Sequence, residues 1–346
     1  MAADTLVTGS KLTAIANAIR TKGGTSSPLT LDQMPQAVAD LPSGGVTLGA
    51  GAAKANVTRV FADGAIGSNA DLVVTAADLL AAADRQGNVN LDTLAFYGSE
   101  WLRKITIPSG TYVSVGALCA CPNLEEIEVL GELIFYYRSK GRPSPYFNLP
   151  ASPFIENPKL RSIDLSGFRP YGSSGNQQLP QYFCTDCPML TSISLPTDSR
   201  YTKLGTYGFY GTAITDLVVP SNFTYIPTTA FANGTKEGGA TVSNSLETIT
   251  FKGNVTEVVA SNYAEPFQTS APATSPLRKI IFEGNTAVPT LNGAYLFFQY
   301  GTTRAAGNLP QNFDGIYVPD ALLSSWKAAT NWASYASIIK PLSDLA

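Results

Sequence analysis

Residues 117 to 130 read ALCACPNLEEIEVL, which places Cys119 and Cys121 one residue apart and beside Glu125, Glu126 and Glu128. Thiols and carboxylates at such spacing are the raw material of a metal or redox site, and Cys184 and Cys187 supply a second pair. Histidine is absent. That excludes Ser-His-Asp and Cys-His catalysis, a histidine general base, and the imidazole ligands of most catalytic zinc sites. An enzyme built from this chain must use carboxylates, lysine or tyrosine. The one arrangement of that kind is Glu128 with Asp164, which fall at equivalent positions of two similar segments. Carboxylates on adjacent strands stand about 5 Å apart, the spacing of a retaining glycosidase.

The elements that carry these residues are repeated, and the repeat decides between the readings. LRKITIP begins at Leu102, LEEIEVL at Leu124, LRSIDLS at Leu160, LTSISLP at Leu190, ITDLVVP at Ile214, LETITFK at Leu246 and LRKIIFE at Leu277. Each is a Leu or Ile, two free positions, an apolar residue, one free position and another apolar residue. Proline ends some phrases (Pro108, Pro196, Pro220), and glycine follows others (Gly131, Gly167, Gly253, Gly284). Both residue types interrupt a strand and begin a turn. The interval is shortest from Leu102 to Leu124 and longest from Leu124 to Leu160. A constant strand phrase with variable spacing is the pattern of a solenoid that carries insertions on one side.

The segment before each strand repeats as well. AFYGSEWL, ALCACPNL and PFIENPKL align without gaps, so Cys121 takes the slot filled by Ser99, Asn157 and Cys187 in other units. Cysteine there reads as a small, buried residue capping a turn. The slots of Cys121 and Cys187 are two coils apart. At about 4.8 Å per coil their separation is about 9 to 10 Å, beyond the roughly 7 Å Cα limit of a disulfide, and a four-cysteine zinc site meets the same obstacle. Metal or disulfide is the disfavoured alternative, and no cofactor is implied. The carboxylate pair has Lys104, Thr106, Ser162, Ser192, Ser194, Thr248 and Thr250 around it, a short-chain face without an evident cleft. A solvated charge ladder explains it more simply than catalysis.

The phrase Ala-Phe-x-x-Cys-x-x-Leu-x-x-Ile-x-Ile-Pro resembles the BspA-type (Treponema-type) leucine-rich repeats of bacterial surface proteins and of phage or prophage tail proteins. The resemblance covers roughly residues 88 to 312. It implies a solenoid of stacked parallel strands that acts in recognition and adhesion. GIYVPDALLSSWKAATNWASYASIIKPL, from Gly315, resembles the terminal unit of such arrays: a last strand leading to a helix that carries Trp326 and Trp332, covering the end of the core. At the front, Leu12, Ile15, Ala16 and Ile19 have helical spacing, and a second short helix runs through Met34, Val38 and Leu41 before the linker at 42–45. This stretch resembles a module found at the front of tail-associated proteins of phages infecting Firmicutes. A hairpin that small buries little surface alone. It is therefore expected to dock on copies of itself or on another virion component. TAADLLAAADRQG, from Thr75, reads as a capped helix that closes the front of the solenoid.

These readings divide the chain into an attachment module at 1–45, a front cap at 46–90, repeats at 91–312 and a capping unit at 313–346. The insertions GELIFYYRSKGRPSPYFNLPAS and GFRPYGSSGNQQLPQYF hold Tyr136, Tyr137, Arg138, Arg142, Tyr146, Phe147, Arg169 and Tyr171. Tyrosine and arginine are favoured at binding surfaces, so these residues are the candidate ligand-binding set; the alternative is that they pack beneath their own loops.

Of 346 residues 44% are hydrophobic and 14% charged, with a net charge of -3. The balance lacks the basic footprint that nucleic-acid binding needs. No apolar run has the roughly 18 to 20 residues of a membrane span. The first residues lack the apolar core of a signal peptide, so the chain is expected to stay in a bacterial cytoplasm until it enters a virion. The expected function is non-enzymatic recognition of a host-surface protein or glycan by a phage or prophage tail. A bacterial surface adhesin is the alternative, and a glycan-cleaving tail enzyme the remote one.

Overall fold

The computed structural model describes residues 72–81, 83–84, 86–93, 95–136, 152–232, 234–235, 241–242, 245–260, 265–267, 275–297 and 309–345. The chain divides into two units, Met1–Thr47 and Leu48–Ala346, and every described residue lies in the second. The attachment module expected at 1–45 and most of the front cap lie outside the described residues.

Each coil contributes a strand to a first parallel row, and the strand phrases form that row. Leu72–Val74, Leu102–Ile107, Glu126–Val129, Ser162–Asp164 and Ser192–Ser194 make one five-stranded sheet. Asp216–Val219, Thr248–Phe251, Lys279–Phe282, Gly315–Val318 and Ile339–Pro341 make the next. Register follows the repeat alignment: Ile105 pairs with Ile127 and Ile127 with Ile163, while Ile249 pairs with Ile280. Leu102, Leu124, Leu160 and Leu190 are fully buried in consecutive coils. Burying one such side chain contributes about 1.5–3 kcal/mol, so the column of leucines accounts for much of the stack's cohesion.

A second row of short strands turns back from the first. Asn90–Leu91, Thr111–Val113, Leu133–Phe135 and Phe168–Pro170 form a four-stranded parallel sheet. Gln177–Gln178, Tyr201–Lys203, Tyr225–Ile226, Glu257–Val259 and Thr290–Asn292 form a five-stranded one. The segments expected to be insertion loops therefore begin as strands. The second row is offset where the two sheets meet, because the chain after Phe168–Pro170 supplies the extra strand Gln177–Gln178, and Tyr201–Lys203 pairs with that strand instead.

The core between the rows is an aromatic column. Phe168 stacks on Tyr201 at 5.9 Å and 5° and meets Phe183 at 5.5 Å, which carries the core across the offset. Phe209, Phe231 and Phe267 continue as stacked rings at 6.1 and 5.3 Å. Phe282 meets both Trp326 and Trp332 at the far end. Those tryptophans are buried as expected, but on two elements. Trp326 lies on the helix Leu323–Ala328 and Trp332 on the 3-10 turn Trp332–Tyr335, because Ala329 turns extended at φ -70 and ψ 148 and ends the helix, and Asn331, left-handed at φ 65, leads into the turn. The final strand Ile339–Pro341 was not anticipated; it pairs with Gly315–Val318, and Lys340 Nζ donates to Asp314 at 2.8 Å. At the front, Thr75 caps the helix Ala76–Ala81 by accepting from the Asp78 N–H, and Asp78 accepts from the Thr75 N–H in return. That helix ends well before Gly87, and the strand Leu72–Val74 ahead of it already belongs to the first row.

Two backbone columns hold the turns. Gly98, Ala120, Glu156 and Asp186, each four residues before its phrase, adopt left-handed conformations. Each donates its N–H to the next coil: Gly98 to Cys119 O, Ala120 to Ile155 O, Glu156 to Thr185 O and Asp186 to Tyr210 O, at 2.9–3.0 Å. After the strands, a Cβ on Gly167 would overlap Gly131 O, and one on Gly284 would overlap Lys252 O. Those glycines therefore do more than end a strand; they let successive backbones meet. Gly284→Ala is expected to lower stability by about 1–3 kcal/mol, while Ala120→Gly, which relieves a left-handed alanine, raises it by up to about 1 kcal/mol. Thermal or urea unfolding of the two variants against wild type reads both signs, and equal effects of the same sign contradict the assignment.

Candidate functional site

The four cysteines are free and buried. Cys121 Sγ donates to Phe96 O at 3.0 Å, and Cys187 Sγ donates to Phe154 O at 3.4 Å. In the same slot, Asn157 Nδ2 donates to Leu118 O and Phe154 O while its Oδ1 accepts from the Cys121 N–H. At Cys121, Asn157 and Cys187 the slot thus ties the turn to the coil before it. Burial pushes the Cys121 and Cys187 thiols up to about 12, and those of Cys119 and Cys184 well above the ordinary value. Among the described residues no group of three or more His, Cys, Asp or Glu is arranged to hold a metal. Native protein at about pH 8 is expected to leave all its thiols unmodified by an aromatic disulfide reagent, and to keep its melting temperature in reductant and chelator. All four thiols react after denaturation. Rapid labelling of folded protein, or a chelator-induced loss of several degrees, contradicts the capping role.

The carboxylates Glu128 and Asp164 of the first row are engaged by different partners. Glu128 Oε2 accepts from Thr106 Oγ1 at 3.0 Å and lies 3.4 Å from Lys104 Nζ, which also donates to Glu126 at 2.7 Å. Asp164 Oδ1 instead accepts from the Ser166 N–H at 2.9 Å. Glu128 is 46% exposed and Asp164 is exposed. A general acid needs a desolvated or like-charged setting to hold its proton. Here the nearest charge to Glu128 is a lysine, so the arrangement is a solvated ladder.

Of the candidate ligand-binding residues, Tyr136, Arg169 and Tyr171 are described: Tyr136 and Tyr171 directly follow second-row strands and their rings meet, and Arg169 lies within one of those strands. Tyr137, Arg138, Arg142, Tyr146 and Phe147 lie outside the described residues. Arg169 sits within the strand Phe168–Pro170, not in a loop, in register with Ile134. Its Nε donates to Glu132 at 2.9 Å. The N–H groups of Tyr136 and Tyr171 donate to Val113 O and Phe135 O, which fixes both backbones to the preceding coil. The Tyr171 ring meets Tyr136 edge-on at 4.8 Å and 74°, and Tyr112 at 6.1 Å. Tyr171 is nevertheless 60% exposed, because the second row is offset after its strand. On the far side of the offset, Arg200 donates to both oxygens of Asp198 and to Gly172 O at 2.6 Å. The Arg200 guanidinium holds the Asp198 carboxyl below its usual range. Lys203 lies 5.1 Å from the Tyr225 ring centre in the following coils, continuing a row of tyrosines and charged groups. Tyr112, Glu132, Asp198 and Arg200 were missed from sequence. Placing Tyr112, Ile134 and Arg169 in one register across coils, with Tyr136 beside Tyr171, is the signal that points to Tyr112 and Glu132, and it requires the second strand to be known.

Residues 154–266 match the family model described as BspA type leucine rich repeat region, in six copies. The fold is a leucine-rich-repeat solenoid. A crystal structure of a leucine-rich repeat protein from Bacteroides ovatus matches 72% of this chain and 68% of that chain, at 13% identity and a TM-score of 0.28. Comparison with curated proteins returns no match. The apolar positions of the strand phrase are mostly buried, and the exposed ring of the tyrosine cluster, Tyr171, lies outside the phrase.

Proposed function

We propose that this leucine-rich-repeat protein is a non-enzymatic recognition protein of a phage or prophage tail, which attaches to the host cell surface through the second-row face. The observation that carries the reading is Tyr171: a 60% exposed aromatic ring braced by two other tyrosines and flanked by two arginine–carboxylate pairs. Aromatic and arginine side chains held rigidly at a surface lose little entropy on binding, and they dominate interface energetics. The tail setting is supported by the resemblance of residues 1–45 to the front module of Firmicutes phage tail proteins, with that module docking on the virion. Host contact by the segment with Tyr137, Arg138, Arg142, Tyr146 and Phe147 belongs to the same reading, since it follows Tyr136 directly. Display on a bacterial surface as an adhesin uses the same face with a different anchor.

The test is binding of fluorescently labelled protein to a panel of Firmicutes cells. Replacing Tyr136 and Tyr171 together by alanine is expected to weaken attachment by at least about tenfold, as loss of interface anchors does, with the circular dichroism spectrum unchanged. Deleting residues 1–45 is expected to leave cell binding intact and to prevent incorporation into particles. Wild-type binding by the tyrosine variant contradicts the assignment of the face. Loss of cell binding by the truncation alone reverses the roles of the two ends.

A further inference from the structure

The Tyr171 face combines an exposed ring with hydrogen-bonding groups that no described residue engages. Arg169 spends Nε on Glu132, and its two Nη groups make no hydrogen bond among the described residues, though its charge also acts on Asp198. Glu132 is 59% exposed and meets Arg169 through Oε2, which leaves Oε1 as an acceptor. The Tyr171 hydroxyl likewise has no partner among the described residues. The ring itself is an apolar surface whose orientation Tyr136 and Tyr112 already determine.

Charge and backbone geometry narrow what this face accepts. Glu132 with Arg169, and Asp198 with Arg200, cancel pair by pair. A polyanion would gain no steering field there and would have to compete with carboxylates for both guanidinium groups. A hydroxyl group is both donor and acceptor, so it can donate to Glu132 and accept from Arg169 without breaking their pair. An extended peptide seeking to add a strand meets Phe168–Pro170 at the sheet edge, where Pro170 offers no N–H. We propose that the Tyr171 face binds an uncharged saccharide, with the sugar's apolar side against the Tyr171 ring and its hydroxyls bridging Arg169 and Glu132. The proposal rests on the recognition role given above and supplies its ligand class.

Two arms test it on the full chain. In the first, labelled protein is applied to Firmicutes cells pretreated with periodate, which cleaves sugar diols, or with a broad protease. In the second, it is applied to immobilised oligosaccharides: uncharged hexose and N-acetylhexosamine oligomers beside sulfated, sialylated and phosphorylated ones. Periodate is expected to abolish the Tyr171-dependent binding and protease to spare it. At least one uncharged oligomer is expected to bind with an affinity that changes less than about twofold between roughly 0.05 and 0.5 M salt. Tyr171→Ala and Arg169→Ala each weaken that binding about tenfold or more, while Tyr171→Phe retains most of it. Binding that survives periodate and disappears with protease overturns the saccharide and leaves the recognition role standing with a protein receptor. Preference for charged glycans with steep salt dependence overturns the uncharged class. Oligosaccharide binding without attachment to any cell keeps the saccharide and overturns the host-attachment reading.

Discussion

Coil must sit on coil at one strand spacing, about 4.8 Å, and everything else in this molecule follows from that requirement. A parallel stack of this kind forces each inward position to meet its own counterpart above and below. Leu102, Leu124, Leu160 and Leu190 answer it in the earlier coils, and Phe209, Phe231 and Phe267 in later ones. The turns answer it with backbone, through the left-handed column from Gly98 to Asp186 and the side chains of Cys121, Asn157 and Cys187. Where successive backbones pack against each other, as at Gly167 and Gly284, a side chain would overlap the neighbouring coil.

The same requirement frees the outward positions. On the first row they became a ladder of short polar residues and compensated charges, in which Glu128 is held by Thr106 and Lys104. On the second row they became tyrosines and arginines. The offset between the two second-row sheets matters most for the proposed recognition face. An uninterrupted row would place another coil's strand over Phe168–Pro170; instead the chain leaves through Tyr171 and Gly172 and returns as Gln177–Gln178. That departure exposes Tyr171 on a backbone that remains bonded to Phe135. Rigidity and exposure, which usually oppose each other, coexist at this point.

The first row was legible in the sequence because its phrase is long and its apolar positions are nearly invariant from coil to coil. The register of Ile105, Ile127 and Ile163 could be read by alignment alone. The capping slot was legible for the same reason, despite holding serine, cysteine or asparagine. The second row was not. Its strands are two or three residues long, and TYV, LIF and FRP share neither a residue type nor a fixed distance from the phrase. Without that row, Tyr136, Arg169 and Tyr171 could be named but not placed together, and Tyr112, Glu132 and Arg200 had no reason to be named. The last strand, Ile339–Pro341, was hidden by its proline and by following a helical pattern. The break between Trp326 and Trp332 is made by extended Ala329 and left-handed Asn331, which propensity alone does not reveal.

The claim that recognition belongs to the second-row face, on a stack that does not rearrange, is tested most directly by hydroxyl-radical footprinting of the protein free and bound to host cell envelopes. Tyr171, 60% exposed, is expected to lose most of its oxidation on binding, while Met189 and Val218, at 43% and 51% exposure away from that face, keep theirs. Unchanged oxidation of Tyr171 together with protection of Met189 or Val218 would place the contact elsewhere and contradict the account.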